Sequence, residues 1–150
     1  MPSCHSPTTG VASQPVPFLE REVKGQRISV VMPAYNEGSV IGGSIRVVED
    51  DLKQLNLGYE VLVVDDGSTD DTWEKLNVAA KESGGRVKLI HYRENRGKGF
   101  AFREGYRASM GDYVLLRDAD LVVPKGLIIK YLEKIGGADV VIASKRHPES

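Results

Sequence analysis

Two aspartates one residue apart, Asp118 and Asp120, follow a short apolar run in the stretch DYVLLRDADLVVP, Asp112 to Pro124. Side chains at i and i+2 of an extended chain point to one side. The pair can therefore turn its oxygens toward one hard cation, Mg²⁺ or Mn²⁺. Open α/β sheets bind ligands in the crevice beyond the carboxyl ends of their strands, where such a cation could bridge a diphosphate. Taken alone, Asp-x-Asp reads more simply as a solvated acidic loop, so the other loops have to decide.

Three further segments end in polar residues after an apolar run: Asn36 and Glu37, Asp65 and Asp66, and Arg93 to Lys98. In a parallel sheet these ends share one edge, and convergence of this kind makes a pocket. A carboxylate only accepts hydrogen bonds. Asp66 therefore suits the N–H groups of a base, and Glu37 a ribose hydroxyl. Their plainer readings are a turn aspartate and a glutamate near a helix N-terminus, where the dipole favours an anion. NRGKG sets two glycines around Lys98 just before a helix, so backbone N–H groups and an ammonium can approach a phosphate. It lacks the Walker spacing, and its plainer reading is a Gly-rich turn with solvated cations. His91 sits inside a strand pattern and reads as packed. Arg117 is either an ion-pair partner that orders the two aspartates or a contact for the diphosphate.

The elements that must position these loops alternate. ISVVM, Ile28 to Met32, is a buried-strand run that Pro33 is expected to end. A helix follows from about Ser39 to Leu55, with Ile41, Ile45, Val48, Leu52 and Leu55 on one face. Strands are expected at Tyr59–Asp66 and Val87–Tyr92, a helix near Asp70 to Glu82 burying Trp73, Leu76 and Ala80, and another opened by ENRGKG. After the aspartates, Pro124 suits the first turn of a helix carrying Leu127, Ile128, Tyr131, Leu132 and Ile135, and Ala138 to Ser144 reads as a fifth strand. The order implies a three-layer α/β/α sandwich with a mainly parallel sheet. Met1 to about Gln26, rich in Pro, Ser and Thr, is expected to be a mobile arm ahead of one domain at residues 27–150.

Composition narrows the classes. The chain has 150 residues, a formal charge of −1 and 41% hydrophobic residues, which suits one soluble domain and argues against general nucleic-acid binding. The charge is unevenly spread: Glu49 to Glu82 holds ten acidic residues against three lysines, whereas Arg86 to Arg117 holds eight Lys/Arg against three acidic residues. Cys4 is the single cysteine, which excludes an internal disulfide and suits a reducing, cytoplasmic setting. No apolar run reaches membrane-spanning length.

PAYNE, VVDDGSTDDT, NRGKGFAFREG and DADL, in this order, resemble the family 2 inverting glycosyltransferases of the GT-A fold. The likeness is above all to dolichyl-phosphate mannose and glucose synthases and related polyprenyl-phosphate glycosyltransferases, and spans about Ile28 to His147. It implies a Rossmann-like GT-A domain that binds a nucleotide-sugar donor, UDP- or GDP-linked. It also implies transfer of a hexose to dolichyl or another polyprenyl phosphate with inversion, assisted by Mg²⁺ or Mn²⁺. Position by position it implies donor contacts from Pro33, Tyr35, Glu37, Asp65, Asp66, Arg96, Lys98 and Asp118, and a catalytic, metal-binding pair in Asp118 and Asp120. Val122 stands where mannose synthases of the family can carry a metal-completing glutamine. The family continues past the fifth strand with acceptor loops and often the base, so this chain is expected to be its donor half. The rival reading is a non-catalytic nucleotide-sugar-binding module. Self-association through an exposed sheet edge and a peripheral place at the cytoplasmic membrane face are further expectations.

Overall fold

A computed structural model describes residues 25–55, 57–120, 126–135 and 138–142. Residues 1–24 of the expected N-terminal arm, Val122, Pro124 and the last two residues of the expected fifth strand lie outside these residues. Eight elements follow in order: β1 (Arg27–Ala34), α1 (Ile41–Lys53), β2 (Gly58–Asp66), α2 (Thr72–Glu82), β3 (Val87–Tyr92), α3 (Lys98–Ala108), β4 (Tyr113–Leu116) and α4 (Leu127–Ile135). The four strands form one parallel sheet in the order β3-β2-β1-β4.

The central strands β1 and β2 are buried along almost their whole length. That is why they read as unbroken apolar runs rather than as an alternation. Ile28, Val30, Met32, Val61 and Val63 face one side and pack with Ile41, Ile45, Val48, Leu76, Ile128 and Leu132 of α1, α2 and α4. Val31, Leu62 and Val64 face the other side and pack with Ala101 of α3. Gly105 lets α3 lie close: a Cβ there would stand 2.4 Å from Cγ1 of Val31. The result is the expected three-layer α/β/α arrangement.

Two boundaries differ from the sequence expectation. Pro33 does not end β1, which runs on to Ala34. Val31 bonds toward β4 through its carbonyl, and the β1–β4 register ends at the pair Val31 and Leu116. Pro33, two residues on, presents its missing N–H to that same side beyond the end of the ladder, where no bond is lost. The fifth strand is the other difference. Residues 138–142 make no ladder, and Val140 and Ile142 are exposed, since an apolar pattern becomes a strand only when a neighbour supplies bonds.

The amino end of the sheet encloses one buried carboxylate. Glu60, 1% exposed, accepts from Ser29 Oγ at 2.6 Å, from the Met110 N–H at 2.6 Å and from Lys88 Nζ at 2.7 Å. Burial acts to raise its pKa, but Lys88, Ser29 and the Met110 amide outweigh it and hold the carboxyl below its ordinary value. No described helix is long and apolar enough to cross a membrane.

Candidate functional site

The carboxyl ends of the strands carry the loops, and three of these are locked to one another. Asn36 adopts a left-handed backbone, φ 54°, tolerated by asparagine because its short side chain bonds locally. Its Oδ1 accepts the Thr69 N–H at 2.8 Å, and its own N–H donates to Ser68 Oγ at 2.9 Å. Asp70 completes this seam, accepting the Gly38 N–H at 3.1 Å and the Thr72 N–H at 3.0 Å, where it serves the open start of α2. The Thr72 hydroxyl also donates to Asp70 and, as the largest cause, lowers its pKa.

Asp66 joins the second loop to the third. Its Oδ1 accepts the Arg96 N–H at 2.9 Å and its Oδ2 the Gly97 N–H at 2.8 Å. Gly67 at φ 74° makes the approach feasible, since a Cβ would lie 2.7 Å from the Asn95 nitrogen. Each Asp66 oxygen still has a lone pair for a ligand. Asp65 points the other way. It is fully buried, accepts the Ser68 N–H at 3.1 Å and pairs with His91 Nδ1 at 3.0 Å. The His91 ring in turn packs on Trp73, with centroids 4.6 Å apart.

At the fourth loop Ala119 is buried while Asp118 and Asp120 face outward. The i, i+2 alternation thus persists after β4 ends. Ser44 Oγ donates to the Ala119 carbonyl at 2.5 Å and ties this loop to α1. Lys98, at the start of α3, forms an ion pair with Asp118. Asp120 has no hydrogen bond or ion pair among the described residues. The Glu37 carboxyl is raised above its ordinary range, first by burial and then by the charges of Asp120, Asp70 and Asp118. This end of the site is crowded with negative charge.

One cleft of about 400 Å³ brings these loops together. Pro33, Ala34, Tyr35, Glu37, Asp66, Asn95, Gly97, Lys98, Asp118, Ala119 and Asp120 line it. Asp65 lies beneath the lining. Arg96 reaches the site through its backbone, while its guanidinium stacks on Phe100 at 4.9 Å. Asn36 and Asn95, which hold or line the loops, stand out in the sequence only as asparagines next to turn-forming residues.

Arg117 takes neither of its two expected positions. It is buried, with Nε and Nη1 lacking hydrogen-bond partners among the described residues, and its pKa is lowered by burial and partly restored by Asp51. Among the described residues it forms no ion pair with Asp118 or Asp120, because position 117 faces the α1 and α4 side of the sheet while its neighbours face the cleft.

No three His, Cys, Asp or Glu side chains converge as a metal cage among the described residues. Asp118 and Asp120 would offer a cation two carboxylates and an open outer face. That donor set suits a hard ion whose other positions are filled by phosphate oxygens and water.

A sequence model described as Glycosyl transferase family 2 matches residues 29–149. The chain is 36% identical over 120 residues to a dolichol-phosphate mannosyltransferase of Pyrococcus furiosus, covering 79% of this chain and 33% of the relative. An undecaprenyl-phosphate 4-deoxy-4-formamido-L-arabinose transferase of Klebsiella pneumoniae is 35% identical over 117 residues, covering 77% and 36%. Among solved structures, a mannosyltransferase of Pyrobaculum calidifontis in complex with GDP-Man and Mn²⁺ superposes with TM-score 0.64 at 26% identity, covering 74% of this chain and 32% of that one. Glucosyl-3-phosphoglycerate synthase of Mycobacterium tuberculosis, solved with Mn²⁺, UDP and glucosyl-3-phosphoglycerate, gives 0.57 at 33% identity, covering 89% and 45%. The chain thus spans about a third of the length of these curated relatives. The four motif-bearing loops, the parallel sheet that gathers them and the match over residues 29–149 agree, and this chain belongs to glycosyl transferase family 2, with the GT-A fold.

Proposed function

We propose that this chain is the donor-binding part of an inverting hexosyltransferase, which takes a UDP- or GDP-sugar and delivers the sugar to a polyprenyl phosphate. One observation carries the reading: a single cleft at the carboxyl edge of the sheet joins Asp66, Glu37, Lys98, Asp118 and Asp120 from four separate loops. The relatives named for dolichol and undecaprenyl phosphate support the acceptor class, and the neighbours solved with GDP-Man or UDP support the donor class.

In this reading Pro33, Tyr35 and Glu37 flank the nucleoside, and Asp66 accepts from the base with its remaining lone pairs. Asp65 acts from beneath by fixing the Ser68 turn. Arg96 contributes its amide to Asp66, and Lys98 turns from Asp118 toward the diphosphate as the donor enters. Asp118 and Asp120 hold Mg²⁺ or Mn²⁺, which supplies neutralisation of the charge that grows on the departing nucleoside diphosphate. The attacking acceptor oxygen belongs to a phosphate that is already ionised, so proton removal contributes little.

The first test is calorimetric titration with UDP, GDP, UDP-glucose and GDP-mannose, each with and without Mn²⁺. Two carboxylates alone bind a hard cation weakly, so Mn²⁺ should bind well only together with a nucleotide. Metal-dependent binding of one nucleotide series is the expected result, and absence of any binding by the folded chain overturns it. Transfer to a polyprenyl phosphate then separates the enzyme from a module that only binds.

Self-association also belongs to this proposal. Among the described residues β4 has a neighbour on one side only, and beside it lies an apolar groove of about 630 Å³ that includes Tyr113, Tyr131 and Val140. Sedimentation velocity should show a concentration-dependent dimer, and a monomer throughout the accessible range removes this element.

A further inference from the structure

The loop into α3 and α3 itself present Arg93, Arg96, Lys98, Arg103 and Arg107, all exposed, against Glu94 and Glu104. A charged helix face is ordinarily no more than a solvated surface. Two features set this one apart.

First, its arginines are organised on an aromatic ring. The guanidinium carbons of Arg96 and Arg103 lie 4.9 and 4.8 Å from the centre of the same Phe100 ring, and Tyr92 meets that ring edge-on at 5.4 Å. Stacking orients the planar forks, so less side-chain freedom is lost when their N–H edges meet anionic oxygens, although Nε of Arg103 also lies 3.7 Å from Oε1 of Glu104. Arg107 follows one turn later, its Nη1 2.9 Å from Glu104. Second, α3 and the segments that follow it expose aromatic and apolar side chains. Phe102 and Tyr106 pack together at 6.3 Å, and Tyr106, Met110 and Leu116 are 56%, 68% and 43% exposed.

We infer that α3 is a docking face for an anionic lipid surface. Its arginines engage headgroup phosphates, while Tyr106, Met110 and Leu116 enter the boundary between headgroups and acyl chains. Charge complementarity selects this occupant, since the surface pairs several cations with exposed amphipathic and apolar side chains. The first turn of α3 also lines the cleft through Lys98. Docking therefore brings the cleft next to the lipid, an arrangement whose use, though not the docking itself, rests on the polyprenyl-phosphate reading above.

The test is flotation of the chain with neutral phosphatidylcholine vesicles and with vesicles holding about 30 mol% phosphatidylglycerol. We expect flotation with the anionic vesicles only, weakened by salt, and a roughly tenfold or greater loss of partitioning in the Arg103→Glu/Arg107→Glu variant. Arg103→Lys/Arg107→Lys should retain most of it. Circular dichroism confirms folding, and Arg103→Gln/Arg107→Gln replaces the charge reversal if that variant does not fold. Equal flotation with neutral vesicles, or undiminished flotation of the folded charge variant, overturns the inference. No flotation at all does so too. A nucleotide titration on the same samples keeps the two proposals apart: lost donor binding with intact flotation counts against the donor reading alone.

Discussion

The two ends of the sheet treat buried and crowded charge in opposite ways. At the amino end, Glu60 is enclosed and every lone pair in use has a donor, so the charge serves stability. At the carboxyl end, Glu37, Asp118 and Asp120 crowd one cleft, with Lys98 as the cation paired among them and Asp120 unpaired among the described residues. Unmet electrostatic demand is destabilising by itself and persists where a ligand answers it. The contrast separates the end that holds the fold from the end that waits for a cation and a diphosphate.

The sharpest way to break this contrast is Asp120→Asn. Exposed, and unpaired among the described residues, it should leave thermal stability within about 0.5 kcal/mol while reducing Mn²⁺-dependent nucleotide affinity by about a hundredfold or more. Unchanged metal dependence in calorimetry would remove the role assigned to Asp120. Glu60→Ala tests the other end. It strands the Met110 amide and Ser29 Oγ and should cost about 3 kcal/mol in urea unfolding, with nucleotide affinity of the folded protein unchanged.

Asp66 lies between the two cases, because it both ties loops and faces the ligand. Asp66→Ala removes the acceptor for two backbone amides and should lower stability by about 2 kcal/mol, together with a loss of nucleotide binding that added Mn²⁺ does not restore. A variant that loses stability and keeps its affinity would make Asp66 a purely structural residue.

The smallest expected effect is a difference in the response to pH. Glu60 is held below its ordinary value near 4.5, so its contribution is present above that pH and is lost as pH falls through the lower folded value. Glu37 is raised above the same ordinary value, so the folded state binds the extra proton. Its penalty is complete above the raised folded value and is relieved as pH falls toward 4.5. Glu37→Gln should therefore raise the melting temperature slightly at neutral pH and change little near pH 4.5. Saturating Mn²⁺ with nucleotide should shrink that gain by meeting the same negative field. A gain independent of both pH and ligand would mean that crowding by Asp118 and Asp120 is not its source.

Much of the site could be read from residue order because its parts are local. Each loop follows an apolar run, and the alternation at Asp118, Ala119 and Asp120 survives the end of β4. Local reasoning was less able to separate adjacent residues. Asp65 and Asp66 look alike in VVDDGS, yet one turns under the sheet to His91 and the other faces the cleft. Pro33 reads as a strand end until the neighbour on its N–H side is known. The run from Ala138 has a strand's composition without a ladder in residues 138–142.

The sequence by itself determined the alternation of elements, the apolar faces and the loop chemistry, because periodicity, turn residues and carboxylate spacing act over a few positions. The tertiary structure alone decided the strand order, which brought the four loops to one cleft, and the burial of Arg117 away from its neighbouring aspartates. It also decided the gathering of Arg96, Phe100 and Arg103 into one stack beside exposed Tyr106 and Met110. These features depend on pairings between residues far apart in the chain and on which side of the sheet each faces, and the energy of those pairings is set only when the layers close.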